Sequence, residues 1–169
     1  EILAGKGIIK GTAANIFEPQ RNISRAEFIQ LLTKAAALEG EVYKDGLFHD
    51  VKPDDWYAAA IATAVNNKLL AGYPDGTFRP NSNITRNEAA CVFSRLLGGA
   101  TQVEGFELSF RDQEEIPYWA NKSIKYVCQQ KLMSGYNDHT FRGNNPLTRA
   151  EAAVIVYNYL QLIGNSEDV

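Results

Sequence analysis

The feature that most constrains this 169-residue chain is its internal self-similarity. Residues 7–36, 68–97 and 131–160 align without gaps, each position moving by 61 residues from the first stretch to the second and by 63 to the third. Gly11, Gly72 and Gly135 coincide, as do Phe17, Phe78 and Phe141, and Arg25, Arg86 and Arg149. An upstream half recurs as well: Phe48-His49-Asp50 precedes Trp56, and Phe110-Arg111-Asp112 precedes Trp119. Projected back by 61, Phe48 falls before residue 1, so the first copy is expected to begin inside its own first helix. The copies are expected at 1–40 (truncated), 48–99 and 110–163, together one structural unit. The Gly- and charge-rich segments Glu39–Leu47 and Gly98–Ser109 read as linkers.

Each full copy reads as helix, loop, helix. Trp56, Ala60, Ile61, Ala64 and Val65 keep to one face at period 3.6, and Trp119, Ser123, Ile124, Val127 and Cys128 repeat them. On this pattern both tryptophans belong to the core at helix starts, sugar stacking being the alternative. In the second helix the stripe is Phe28, Leu31, Leu32, Ala35 and Ala36, recurring as Ala89, Val92, Phe93, Leu96 and Leu97 and as Ala152, Ile155, Val156, Tyr159 and Leu160. A two-helix copy cannot bury such a stripe alone, so the copies must pack on one another in an all-α unit. In the loop, Gly76 aligns with Asn15 and His139, three residue types that tolerate positive φ, so one left-handed turn position is expected there.

Composition narrows the function. The chain is 45% hydrophobic and 22% charged, as in a soluble globular protein. A net charge of −3 argues against nucleic acid, whose binders carry a basic stripe. No apolar run approaches the roughly 18 residues of a membrane span, and no membrane insertion is expected. No signal peptide is present, so an export signal is expected to lie outside these residues or to have been removed. Cys91 and Cys128 sit among apolar neighbours and read as buried thiols rather than a disulfide. No catalytic constellation, metal cluster or cofactor motif appears. His49 aligns with Arg111 and His139 with Gly76, so neither histidine belongs to a repeated site. Asp75-Gly76 lacks the alternating acids of a calcium loop.

The second helices open with Ser24-Arg25-Ala26-Glu27, Thr85-Arg86-Asn87-Glu88 and Thr148-Arg149-Ala150-Glu151. Ser/Thr followed three residues later by Glu is a capping box, and Ile23, Ile84 and Leu147 take the hydrophobic-staple position before it. The box needs only the hydroxyl and the Glu, so folding is expected to spare the arginine. A cation in the first turn opposes the helix dipole. Two readings stay open: a bound anion held by free N–H groups and the guanidinium, or a structural carboxylate of the next copy, with Asp50 or Asp112 as the partner. Tyr73 and Tyr136 follow the loop glycine and are expected to be half-exposed. Arg79 and Arg142 rank low as site residues because the first copy has Glu18 there.

The order Phe-x-Asp, then Trp, then Gly72-Tyr73-Pro74-Asp75-Gly76-Thr77-Phe78-Arg79-Pro80, then Ile84-Thr85-Arg86-Asn87-Glu88 resembles the S-layer homology family, over nearly the whole chain. The resemblance implies three helix-loop-helix repeats in a pseudo-threefold arrangement around a central three-helix bundle, made by the first helices with the second helices outside. It implies inter-repeat grooves that bind a secondary wall polymer of Gram-positive bacteria, commonly through a terminal N-acetylmannosamine carrying a pyruvate ketal. Arg25, Arg86 and Arg149 would contact the pyruvyl carboxylate. Gly11, Gly72 and Gly135 would let the sugar approach the backbone, and Asp50, Trp56, Asp112, Trp119, Tyr73 and Tyr136 would line the groove. The second and third copies, the only ones with both halves, are expected to form the best groove, with Arg86 or Arg149 as its anion contact. The chain departs from the pattern at Ser24, at residues 11–15, at Asn87, and at His139 and Gly143. The resulting expectation is an extracellular anchoring module of the cell wall or S-layer, not an enzyme. Its rivals are a structural protein–protein module and a binder of peptidoglycan or another anionic glycan.

Overall fold

The computed structural model describes residues 2–5, 7–9, 17–99, 103 and 105–167; Gly11 and Asn15 lie outside them. Six α-helices are described: α1 (Ile2–Gly5), α2 (Arg25–Ala35), α3 (Ala58–Asn66), α4 (Arg86–Leu96), α5 (Tyr118–Gln129) and α6 (Arg149–Glu167). Gln113–Glu115 adds a single 3-10 turn, and the described residues contain no strand, only three isolated antiparallel bridges. Both ends of the second helices follow local chemistry. Ser24 and Thr85 accept from the Glu27 and Glu88 N–H groups, and each Glu reaches back to its cap N–H. Thr148 and Glu151 repeat the exchange. At the far end Ala37 and Gly98 take left-handed φ and stop the turn.

The three copies close into a ring. The residues just before the caps are joined cyclically: Ile23 N–H donates to the Leu147 carbonyl (2.9 Å), Leu147 N–H to Ile84 (2.9 Å) and Ile84 N–H to Ile23 (3.2 Å). Just inside, Arg25, Arg86 and Arg149 donate their backbone N–H to the Ser82, Asn145 and Arg21 carbonyls (2.8, 3.0 and 2.8 Å). Ala26, Asn87 and Ala150 donate to Pro80, Gly143 and Pro19 (3.0, 2.8 and 3.0 Å). Each helix N-terminus is thus seated on the loop of the next copy, which satisfies the orphan donors of its first turn.

This ring puts the second helices on the pseudo-threefold axis and corrects the expectation that the first helices form the central bundle. Phe28 of α2 meets Phe93 of α4 edge-on at 5.9 Å, and Phe93 meets Tyr159 of α6 at 5.9 Å. Helix α2 also packs directly on α6. Phe28, Leu32, Ala89, Phe93, Ala152 and Val156 are wholly buried. The physical reason lies in α4, which is covered on nearly every face from Ala89 to Ser94 and so has to lie inside. The first helices pack outside, α3 against α2 and α5 against α4, and α5 buries only one face. Their tryptophans are not core residues: Trp56 is 63% and Trp119 60% exposed, because each stands at the outer start of its helix.

Candidate functional site

The loops of the second and third copies are held by carboxylates. Asp50 accepts from the Phe78 and Arg79 N–H groups, both at 2.7 Å, and Asp112 from Phe141 and Arg142 at 2.8 and 2.7 Å. The repeated Phe-x-Asp therefore fastens the loop, and neither aspartate is the partner of the first-turn arginine. Asp75 accepts from the Thr77 N–H (3.0 Å) and hydroxyl (2.6 Å) and from Arg79 (2.9 Å). The Thr77 hydroxyl and Arg79 hold its carboxyl down at about 2, and Asp138 is lowered in the same way by Thr140 and Arg142. Gly76 and His139 take the expected left-handed φ of 77° and 64°. A Cβ on Gly76 would stand 2.8 Å from the His49 ring, so His49 in one copy and His139 in the other fill the same corner of the loop.

Gly72 and Gly135 have a packing reason to be glycine. A Cβ at Gly72 would run into the Phe48 ring and come within 2.7 Å of the Thr77 carbonyl; at Gly135 it would meet Phe110 and the Thr140 carbonyl. Neither has positive φ, so these are not left-handed helix ends. Their partner Gly11 lies outside the described residues.

The first-turn arginines are 5–7% exposed and run round the ring in one direction. Arg25 Nε donates to the Phe78 carbonyl (3.0 Å), Arg86 Nε to Phe141 (2.8 Å) and Arg149 Nε to Phe17 (2.9 Å). Their Nη1 groups face the capping glutamate of the next copy: Arg25 to Glu88 at 2.8 Å, Arg86 to Glu151 at 3.3 Å and Arg149 to Glu27 at 3.8 Å. The open question of the arginine's partner is settled in this respect: it is the next copy's Glu88, Glu151 or Glu27. The helix N–H groups expected to help hold an anion are already bonded to loop carbonyls. Carbonyl and carboxylate together offset the unfavourable dipole, and the arginine has a folding role that the capping box alone did not reveal.

Glu27 and Glu151 are held ionised. Burial pushes Glu151 up, but hydrogen bonds from Thr148 and Tyr136 and the charge of Arg86 outweigh it and bring it below its usual range. Burial acts likewise on Glu27, and bonds from Arg21 and Ser24 overcome it. Tyr73 donates to Glu88 at 3.1 Å, and Tyr136 donates to Glu151. Both tyrosines are half-buried, as expected, each with an arginine pair over its ring: Arg25 and Arg79 over Tyr73, Arg86 and Arg142 over Tyr136. In the first copy Arg21 serves Glu27, and burial followed by Arg21's charge lowers Arg149.

Two clefts open where these parts meet. One, of about 130 Å³, is lined by Arg25, Tyr73, Glu88, Cys91, Arg95 and Trp119, with Ile29, Leu70 and Phe78 among its apolar residues. The other, of about 110 Å³, is lined by Arg149, Glu27, Gln30, Ile8, Ile23 and Trp56. Each draws its arginine from one copy, its glutamate from the next, and its tryptophan from the third. The cleft that brings the loop of the second copy beside Trp119 of the third holds Arg25 of the first, and neither Arg86 nor Arg149 lines it. Arg25 and Arg86 differ in what their guanidinium nitrogens bond. Arg86 spends Nη2 on the Ser134 carbonyl (2.8 Å), whereas Arg25 Nη2 has no acceptor among the described residues. Cys91 and Cys128 are free thiols, and burial raises both, Cys128 to about 11.

The S-layer homology domain model matches residues 1–29, 47–90 and 109–153. The chain belongs to the S-layer homology family. Among its relatives, the cellulosome-anchoring protein of Acetivibrio thermocellus is 33% identical over 90% of this chain and 35% of its own length. The surface-layer 125 kDa protein of Lysinibacillus sphaericus is 35% identical over 90% of the chain and 13% of its own. An amylopullulanase of Thermoanaerobacterium thermosulfurigenes is 33% identical over 98% of the chain, which spans only 9% of that enzyme. The shared part is therefore a cell-surface anchoring module, extracellular and of the cell wall or S-layer, and catalysis in such relatives belongs to their other regions. No helix among the described residues is long and apolar enough to cross a membrane.

Sequence reasoning missed Arg95, Arg21 and Cys91 as neighbours of the S-layer homology clefts. It also missed left-handed φ at Arg79, Arg142 and Glu18, and at the column of Gly7, Lys68 and Lys131. In that column the aligned glycine was an available signal.

Proposed function

We propose that this chain anchors a cell-surface protein non-covalently to a pyruvylated secondary wall polysaccharide, whose terminal carboxylate binds in the Arg25 cleft. The observation that carries the reading is Arg25 itself: a buried guanidinium fixed through Nε and Nη1, with Nη2 left for a ligand beside the exposed face of Trp119. A fixed guanidinium suits a carboxylate, and an exposed indole suits the apolar face of a sugar ring. The Arg149 cleft, with Trp56 as its wall, is the second candidate groove. Peptidoglycan or another anionic glycan is the rival ligand.

A second reading has its own observation. Arg86 has all three guanidinium nitrogens engaged by protein acceptors, the pattern of a residue that only joins copies. A module built for protein–protein assembly would use all three arginines in this way.

Calorimetric titration with a pyruvylated N-acetylmannosamine methyl glycoside separates the readings. Arg25→Gln is expected to weaken binding about tenfold or more, the value of one charged hydrogen bond. Arg86→Gln is expected to leave binding intact at matched fractions of folded protein. Equal affinity for the sugar without its pyruvyl group, or no effect of Arg25→Gln, refutes the proposal.

A further inference from the structure

Arg95 is a second cation on the Arg25 cleft, and the repeat itself supplies a control for what it does. Arg95 Nη1 donates to the Leu69 carbonyl at 3.0 Å. One copy later the aligned residue is Asn158, whose Nδ2 donates to the Leu132 carbonyl at 3.1 Å. Leu69 and Leu132 are themselves aligned. The structural task at this position, tying the second helix to the end of the first, is therefore met by a short neutral amide. Arginine adds a charge and two further donor nitrogens that the tie does not need.

Those donors have no acceptor among the described residues, and the side chain that carries them lines the cleft. Arg95 is exposed, lines the same 130 Å³ cavity as Arg25, and pairs with no carboxylate among the described residues. The other candidate cation nearby, Arg79, is ion-paired to Asp75 at 2.9 Å. Of the charges near this cleft, Glu88 answers Arg25, and Arg95 is left without an answer. The corresponding region of the Arg86 side has Glu151 against Arg86, and Asn158 in place of the second cation.

Resting on the reading of this cleft as an anionic-glycan site, we propose that Arg95 is a specificity residue for a second acidic group on the same glycan. Its natural ligand is then a diacidic saccharide unit, with a phosphate or second carboxylate beside the one held by Arg25. Because Arg95 is exposed, its contribution is salt-sensitive.

The test uses two defined probes: the pyruvylated N-acetylmannosamine methyl glycoside, with one acidic group, and the pyruvylated sugar 1-phosphate, with two. The whole chain is titrated with each at low and moderate salt. The wild type is expected to prefer the diacid by about tenfold, the worth of one charge-assisted contact. Arg95→Asn, which retains the carbonyl tie as Asn158 does, is expected to erase that preference and its salt dependence, lowering the diacid affinity by far more than the monoacid affinity and leaving the melting temperature unchanged. Arg25→Gln is expected to weaken both probes alike. A preference that survives Arg95→Asn, or a wild type that binds both probes equally, overturns the role of Arg95 and leaves the cleft reading standing. A wild type that binds neither probe overturns both.

Discussion

Replacing Gly143 by alanine puts a Cβ directly into the amide of Asn87, whose Oδ1, Cγ and Nδ2 all stand in its path. Both residues depart from their columns. Gly143 aligns with Pro19 and Pro80, and Asn87 with Ala26 and Ala150. The structure shows that these are one departure, because Asn87 N–H donates to the Gly143 carbonyl (2.8 Å) as Ala26 does to Pro80 and Ala150 to Pro19. At two junctions a small residue faces proline; at the third a large residue faces glycine.

The backbone of Gly143 is not left-handed, so the cost of alanine is steric. Asn87 is 1% exposed and cannot swing into solvent. Overpacking of this kind costs about 1–3 kcal/mol, or a fall in melting temperature of about 2–4 °C for each kcal/mol in a chain of this size. Asn87→Ala alone should be close to neutral. It loses the bond from Nδ2 to Asn144 (3.0 Å), worth about 1 kcal/mol, and removes a buried Oδ1 with no partner, a comparable penalty. In the double variant the clash has no second party. Urea denaturation of the four proteins should give a coupling of about 1 kcal/mol or more in favour of the pair. Additive effects, within about 0.5 kcal/mol, would refute the claim that the two departures compensate.

Three further outcomes follow from the same geometry. Gly72→Ala should lower stability by about 1–3 kcal/mol through the Phe48 ring, so any loss of ligand binding on titration should track the unfolded fraction seen in thermal melts. Arg86→Ala should cost about 2–3 kcal/mol of unfolding free energy, because it takes the donor away from the Phe141 and Ser134 carbonyls and the Glu151 carboxylate at once; a change below about 0.5 kcal/mol would show that the ring of arginines is idle. Glu27, Glu151, Asp75 and Asp138 all have lowered folded pKa values, so their stabilisation is complete above the unfolded values near 4 and is lost as pH falls toward 2; denaturation midpoints that stay level from pH 5 to pH 2.5 would contradict it.

What the sequence made legible is what local chemistry decides. The capping boxes at Ser24, Thr85 and Thr148 follow from residues three apart, and the left-handed Gly76 and His139 from one column. The stripe of Phe28, Leu32 and Phe93 identified buried helices, but periodicity cannot say which of two amphipathic helices is inner. That depends on how many faces are covered, and here it is α4 that is covered on nearly every face. Trp56 and Trp119 fit an apolar period and were expected in the core, yet period fixes the side of a helix and not whether a neighbour reaches its first turn. The partner of Arg25 was out of reach for another reason. Glu88 is 63 residues away and already explained by its own capping box, so nothing in the local pattern left it available.

Cyclic order makes folding and the clefts inseparable. Arg25 leaves the first copy to hold the Phe78 carbonyl and Glu88 of the second, and that same Glu88 closes the capping box that starts α4. The cleft beside it is finished only when α5 of the third copy packs on α4 and brings Trp119 to the rim. A single copy has the arginine without its acceptors, and two copies have the guanidinium without its wall. Divergence between copies can then adjust one cleft while the shared ring preserves the fold. Arg95 against Asn158 changes the charge of a groove, Cys91 against Gln30 changes its floor, and neither touches the hydrogen bonds that join Ile23, Ile84 and Leu147. Three copies around one axis thus permit clefts of unequal chemistry on a common frame, which suits a polymer that presents more than one acidic group to the same module.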